Sequence, residues 1–245
     1  MLNRAHMSMG AASGALAVNL VGGSVSMIPV AVCVASIGAA LPDMDTHSKQ
    51  VGAVGDLGTG ISTLVKSASA AFYEATSTDY DKPPLPFGYH RTLTHTLFFA
   101  GLMFLAGLGL GGSLISLAIA CGVGLMFLIT SGVIPGYART IKAPISAIIF
   151  AALGAVCFWF YLKSVPGIST VFIGVFLLAG VLSHLLGDII TEGGVPLFAP
   201  FIKVRGKRWF TISILPLSAS SKIANATCSW LSLASFCFFL YRILV

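Results

Sequence analysis

The sequence predicts an all-α protein, a polytopic membrane helical bundle of about seven transmembrane or membrane-embedded helices with one surface amphipathic helix. Three observations support this fold class: 56% of the 245 residues are hydrophobic, only 9% are charged, and the apolar residues form separate long runs. A soluble domain carries about 25% charged residues, so this composition excludes an ordinary water-soluble domain. No change of composition divides the chain, and residues 1–245 are expected to form a single domain.

The apolar runs have the lengths expected of membrane helices, for which about 20 residues span the hydrocarbon core. The first run is rich in Gly and Ala, which suits close contact between helices more than exposure to lipid. Pro29 lies in the second run and predicts a kink there. The seven runs comprise residues 5–22, 24–41, 94–110, 112–133, 144–163, 168–190 and 225–244.

The basic residues of the loops predict the orientation of the bundle. If all seven runs cross the membrane, one side holds the N-terminus and the loops 42–93, 134–143 and 191–224, with twelve of the 14 Lys and Arg residues. Basic residues are enriched in cytoplasmic loops. We therefore expect a multi-pass protein of the cell inner (cytoplasmic) membrane, surrounded by lipid, with a cytoplasmic N-terminus. The net charge of +6 then gives no reason to expect a nucleic-acid partner.

Two loops contain recognisable patterns. Apolar residues recur at helical spacing in the loop 42–93, at Ile61, Leu64, Val65, Ala68 and Phe72. This spacing predicts a short amphipathic helix on the membrane surface. The loop 191–224 contains the basic stretch 203–208, for which a hairpin turning at Gly206 is expected, and its partner, anionic lipid or another molecule, stays open.

Residues that can carry chemistry collect at one end of the predicted helices. His184 and Asp188 are four residues apart in the sixth run, so they share one face of the helix. Five further residues fall at the same, predicted cytoplasmic, ends: His6, Asp43, Asp45, His90 and His95. Ionisable side chains within membrane segments are costly and indicate function by default. Their convergence at one depth predicts a functional site.

Imidazoles and carboxylates without thiolates suit a divalent metal, zinc foremost, with manganese or iron as alternatives and room for two ions. Such ions commonly activate water for attack on a phosphoester. Arg91 is a candidate to hold a phosphate oxygen with its planar guanidinium, or else serves only as a basic membrane anchor. Asp45 and Glu192 are candidate bases, although an Asp after a proline also suits a turn and Glu192 also suits a helix end.

Four short blocks of the chain, in this order, resemble the YdjM-type family of inner-membrane metal-dependent hydrolases. The blocks are His6, Leu41-Pro42-Asp43-x-Asp45, His90-Arg91-x-x-Thr94-His95-Thr96 and His184-x-x-x-Asp188-x-x-Thr191-x-x-Gly194-x-Pro196-x-x-x-Pro200-Phe201. The family is similar in ligand order to zinc-dependent phospholipase C and related nucleases. The resemblance implies a loop over the site shaped by Thr191, Gly194, Pro196 and Pro200, and the metal ligands His6, Asp43, Asp45, His90, His95, His184 and Asp188. The chain has fewer His and Glu ligands than those soluble enzymes, which favours one or two ions.

The sequence thus predicts a membrane-bound hydrolase that cleaves a phosphoester of a lipid or membrane-associated substrate, using a metal-activated water at the cytoplasmic face. One alternative is a cation or proton transporter that uses the same His/Asp cluster. Transport sites usually lie near the bilayer midplane between repeats, whereas this cluster is predicted at the helix ends. A second alternative is a non-catalytic membrane protein with a structural metal, whose site would be closed by four ligands.

Overall fold

The computed structural model describes residues 3–46, 55–81, 89–110, 112–133, 144–165, 172–215, 217, 218, 221, 223, 225–227, 229, 230, 232 and 234. Within these ranges, regular structure is helical and only isolated β-bridges are present. The α-helices are α1 (Asn3–Leu20), α2 (Ile28–Ala40), α3 (Gly55–Thr76), α4 (Leu97–Leu110), α5 (Leu114–Thr130), α6 (Pro144–Ser164) and α7 (Phe172–Ile189). Short 3-10 helices occupy Val25–Met27, Leu41–Asp45, Asp79–Asp81 and Leu93–His95. The all-α prediction is confirmed.

Among the described residues, three helical segments are long and apolar enough to cross a membrane: Val25–Asp45, Pro144–Ser164 and Phe172–Ile189. Two shorter apolar helices, Leu97–Gly109 and Leu114–Thr130, accompany them. The predicted loop 134–143 and most of the predicted run 225–244 lie outside the described residues. The membrane-protein class is therefore confirmed, whereas the count of seven crossings stays a prediction.

Pro29 lies in the first turn of α2, directly after the 3-10 helix Val25–Met27. The first-turn N–H groups of a helix have no partner within the helix, so a proline there costs no hydrogen bond. The proline thus lies where a 3-10 turn joins an α-helix.

The centre of the bundle is the pair α2 and α7, against which α1, α4 and α5 pack, while α6 packs on α5. α1 contacts both, α4 packs on α7, and α5 packs on α2 and α6. A Cβ atom at Gly180 would lie 2.0 Å from the carbonyl oxygen of Ala35, and one at Gly38 would lie 2.3 Å from that of Leu177. The glycines therefore allow the two backbones to touch, as small residues commonly do between membrane helices. This crossing holds α2 and α7 together. It lies one to two helical turns before the residues of the site described below, on both helices.

The predicted surface helix is α3, and it is longer than its sequence pattern suggested. Its polar residues Ser62 and Ser69 are buried, whereas Leu57, Ile61 and Leu64 are 66%, 37% and 71% exposed. Tyr73, near the end of α3, is buried, but the apolar side chains of the first half of the helix are directed away from the rest of the protein. This orientation is the one expected of a helix that rests on a lipid surface.

A carboxylate joins the end of α3 to the segment that follows α7. Asp81 accepts hydrogen bonds from the backbone N–H groups of Thr78 (2.7 Å), Trp209 (3.0 Å) and Arg208 (3.1 Å), and from the Thr78 hydroxyl (2.9 Å). Burial acts to raise the pKa of Asp81, but these donors outweigh it and hold the pKa below its usual range. We call these four residues the Asp81 node.

The basic segment turns as the sequence predicts. Val204 and Lys207 exchange two backbone hydrogen bonds, of 2.8 and 3.0 Å, around Arg205 and Gly206. Both central residues have positive φ, 50° and 86°, as a two-residue turn of type I′ requires. A side chain at Gly206 would also meet the ring of Tyr80.

Candidate metal centre

Side chains from α1, α7 and the 3-10 helices Leu41–Asp45 and Leu93–His95 meet in one polar cluster. Three overlapping groups offer ligand atoms within 4.8 Å of one another: His6, Asp43 and His184; Asp43, His90 and His95; and His95, His184 and Asp188. Six of the seven predicted ligands therefore come together. We call these six residues the metal centre.

The α7 pair has the predicted geometry. Nε2 of His184 lies 3.6 Å from Oδ2 of Asp188, one turn further along the helix, and both residues are fully buried. Nδ1 of His184 donates a hydrogen bond of 2.7 Å to the carbonyl oxygen of Ala39 at the end of α2. That bond fixes the tautomer, so the lone pair of Nε2 points into the centre, as is usual for a metal-binding histidine.

Asp43 is the member that the histidines surround. Its Oδ1 lies 3.6 Å from Nε2 of His184, 3.9 Å from Nε2 of His90 and 4.0 Å from Nε2 of His95. The side chains of Asp43 and His90 are 24% and 26% exposed, whereas those of His95 and His184 are inaccessible. Solvent therefore reaches the centre on the side of Asp43 and His90.

Asp188 occupies the buried side. Its Oδ2 lies 3.3 Å from Nε2 of His95, and its Oδ1 lies 3.4 Å from Nε2 of His6. The ring of His6 stacks on that of His184, with centroids 3.8 Å apart. His6, from the first turns of α1, thereby becomes part of the wall of the centre.

Two buried imidazole nitrogens of the centre lack the hydrogen bonds that a purely structural cluster would form. Among the residues that the structure describes, Nε2 of His95 and Nε2 of His184 are buried and have no hydrogen-bond partner, although carboxylate oxygens lie within 3.3–3.6 Å. A neutral imidazole nitrogen and a carboxylate oxygen both present lone pairs, and a cation is the species that satisfies both. The residues therefore fit a divalent metal.

Asp45 lies behind the centre and belongs to none of its three groups. Its Oδ1 accepts a hydrogen bond of 2.8 Å from Nδ1 of His90, and its Oδ2 accepts one of 3.3 Å from the hydroxyl of Thr94. That hydroxyl oxygen lies 3.0 Å from Nδ1 of His95 and can accept a hydrogen bond from its N–H group. Asp45 thus orients His90 directly and His95 through Thr94, in the manner of the carboxylate–histidine–metal arrangement.

Thr94 is a site residue that the sequence analysis did not assign to the centre. The signal for it was its position directly before His95 in a block that already held two histidines. A threonine in that position is typical of a helix start. The hydrogen bonds of Thr94 to Asp45 and His95 show that it also links these two side chains.

Arg91 is buried, and its guanidinium is directed towards α7. Nη2 lies 3.1 Å from Oδ1 of Asp188, and Nη1 donates to the hydroxyl of Thr191 (3.1 Å) and the carbonyl oxygen of Gly194 (3.0 Å). The guanidinium therefore holds Asp188 and the loop after α7 together. The predicted contact of Arg91 with a phosphate oxygen stays a prediction.

The loop after α7 is built around Thr191 and Gly194. The Thr191 hydroxyl donates to the carbonyl oxygen of Asp188 (2.8 Å), and Gly194 has a φ of 55° where a side chain would strike the carbonyl of Ile212. Glu192 is exposed and belongs to none of the three groups, so its role as a base stays a prediction.

The fold and the centre define an integral membrane protein that encloses a His/Asp cluster suited to a divalent cation. The chain belongs to the YdjM inner membrane protein family, whose model matches residues 1–135 and 144–245. No curated protein and no solved structure matches the chain. The predicted family and the predicted inner-membrane location are thereby confirmed. The hydrolase activity and the cytoplasmic position of the N-terminus stay predictions.

Proposed function

We propose that the protein is a metal-dependent phosphoester hydrolase of the inner membrane that acts on a lipid or another membrane-associated substrate. The observation that carries the proposal is a pair of buried nitrogens, Nε2 of His95 and of His184, that face two carboxylates and have no hydrogen bond to any described residue. A bound divalent cation supplies Lewis-acid activation of water and of the phosphoryl group. Zinc is the first candidate because imidazole and carboxylate are its common non-thiolate ligands.

The six residues of the metal centre would hold the cation. The three ligand groups overlap: any two of them have one residue in common, which is Asp43, His95 or His184. Six residues in overlapping groups of three provide enough donor atoms for one or two ions. Phosphoester hydrolysis requires that water and substrate reach the metal. The partial exposure of Asp43 and His90 supports an approach from that side.

Asp45 and Arg91 would position ligands. Both oxygens of Asp45 are engaged by His90 and Thr94, so we assign Asp45 to orienting the histidines, in place of the ligand and base roles predicted from the sequence. Arg91 would hold the carboxylate of Asp188 in place so that it is directed at the centre. Glu192, on the loop after α7, remains the candidate base.

Metal-dependent hydrolysis in lipid nanodiscs tests the proposal. The purified protein is stripped with a chelator, reloaded with zinc or manganese, and incubated with lipid phosphoesters and with p-nitrophenyl phosphate, and products are detected by mass spectrometry. We expect hydrolysis only after reloading, its loss in His184→Ala, and its retention in Asp79→Ala, which removes an exposed acid outside the centre. A metal-loaded wild-type protein that cleaves none of these esters would contradict the proposal and favour a structural metal.

The transport alternative predicts a different result in the same preparation. Metal-free protein in liposomes would then carry a cation or proton flux that depends on His184. The hydrolase proposal predicts no such flux.

A further inference from the structure

A crevice of about 230 Å³ opens in the apolar part of the bundle. α4 packs on α7 and α5 packs on α2, but among the described residues α4 and α5 share no extended contact, although only residues 111–113 connect them. The walls carry Ala106 of α4 and Ala120 of α5, and the floor is formed by α2 and α7. Small side chains on both walls keep the crevice open.

The surroundings of the crevice determine what can occupy it. Its lining is apolar except for Ser116, whose hydroxyl is already hydrogen bonded to that of Ser113 at 2.9 Å. On either side, Leu105 and Ile119 are 60% and 54% exposed on helices that are apolar throughout. Apolar side chains that a membrane protein exposes at this depth face lipid. The occupant that matches these walls is hydrocarbon, in the form of an alkyl chain from the bilayer.

The helices α2 and α7 line the crevice and also lead to the metal centre. Val34, Ile37 and Leu41 line it along one face of the helix, and Leu41 begins the 3-10 helix that carries Asp43. On α7, Leu177 lines the crevice and His184 follows seven residues later, which is about 10 Å at the helical rise of 1.5 Å per residue. A chain seated here would have its polar end at the level of the centre.

We propose that this crevice binds the alkyl chain of the substrate, which enters sideways from the bilayer between α4 and α5. The inference rests on the proposed hydrolase function and narrows its substrate class to phosphoesters that carry a long alkyl chain. The metal centre would then act on the headgroup end of a lipid that stays within the membrane.

Photo-crosslinking in nanodiscs tests the chain site independently of catalysis. The probe is a phosphatidic acid with a diazirine in mid-chain, and labelled residues are mapped by mass spectrometry. We expect labels on the crevice residues of α4 and α5. Ala106→Trp and Ala120→Trp should each reduce this labelling about tenfold, because an indole ring would occupy the space in the crevice that the alkyl chain needs. The matched control is Ala152→Trp, on an exposed position of α6, which should label as wild type does.

Metal content and two substrates separate the possible failures. In the tryptophan variants we expect wild-type metal content and wild-type hydrolysis of p-nitrophenyl phosphate, with hydrolysis of the long-chain lipid reduced about tenfold. Labels outside the crevice, or unchanged by both substitutions, would overturn the inference even if metal and hydrolysis are intact. Labels in the crevice of a protein that binds no metal would instead reject the hydrolase function and retain the chain site.

Discussion

The carboxylate of Asp81 and the two carboxylates of the metal centre, Asp43 and Asp188, differ in what surrounds their oxygens. Asp81 accepts hydrogen bonds from three backbone N–H groups and one hydroxyl, so its negative charge is balanced by donors of the chain itself. At the metal centre, the carboxylates of Asp43 and Asp188 face imidazole nitrogens, two of which have no hydrogen-bond partner in the part of the chain that the structure describes. We infer from this difference that the supply of hydrogen-bond donors from the chain distinguishes the structural carboxylate of Asp81 from the proposed metal ligands, although Asp188 also contacts Arg91. The difference also predicts that substitutions at the two places have different consequences.

The largest effect is expected for Asp188→Asn. The substitution replaces one of the two carboxylate oxygens beside His6 and His95 with an amide NH₂ and removes the charge that faces Arg91. We expect metal binding to fall below detection in isothermal titration calorimetry. Breaking a buried ion pair typically costs about 3–5 kcal/mol, so the melting temperature should fall as well. Metal affinity equal to that of wild type would show that Asp188 is not a ligand.

A smaller loss of affinity is expected for Asp45→Asn. This residue orients His90 and, through Thr94, His95, and loss of such an outer partner typically weakens metal binding by about 10–100-fold. Titration calorimetry should therefore show weaker binding with unchanged stoichiometry. A change in stoichiometry would indicate that Asp45 is itself a ligand, as the sequence analysis predicted.

Asp81→Asn should alter stability alone. The amide presents an NH₂ group to backbone donors that the carboxylate accepted, and leaving buried donors unsatisfied costs about 1–3 kcal/mol. We expect a lower free energy of unfolding in denaturant together with wild-type metal affinity. Reduced metal affinity in this variant would mean that the two regions are coupled.

The smallest effect is a pH dependence of the Asp81 node. The folded-state pKa of Asp81 is lowered, so its contribution to stability is present above the unfolded pKa of about 3.9 and disappears as the pH falls through the folded value. The stability difference between wild type and Asp81→Asn should therefore be constant from pH 7 to pH 5 and shrink below about pH 4. A difference that grows on acidification would contradict the assignment.

The contrast between the two regions also shows which features of the structure could be predicted from the sequence. Hydropathy runs predicted the membrane helices, and helical spacing predicted α3, because both patterns depend on local composition. The shared depth of His6, Asp43, His95 and His184 predicted their convergence, because helix ends at one membrane face lie at one level.

The outer contacts of the centre were not predictable in this way. Asp43 and Asp45 are two residues apart in one turn, yet one faces the histidine nitrogens and the other lies behind them. Arg91 was expected to face a phosphate, whereas its guanidinium contacts Asp188 and the loop after α7. These directions depend on the packing of distant segments, such as Ala39 against His184, which no local pattern encodes.

Elemental analysis of the purified protein tests the central claim most directly. Wild type, His184→Ala and Asp188→Ala would be compared with Asp81→Asn, which removes a buried acid outside the metal centre. The account predicts stoichiometric zinc or manganese in wild type and in Asp81→Asn, and none in the two variants of the centre. Wild-type protein that holds no metal after reloading would contradict the account.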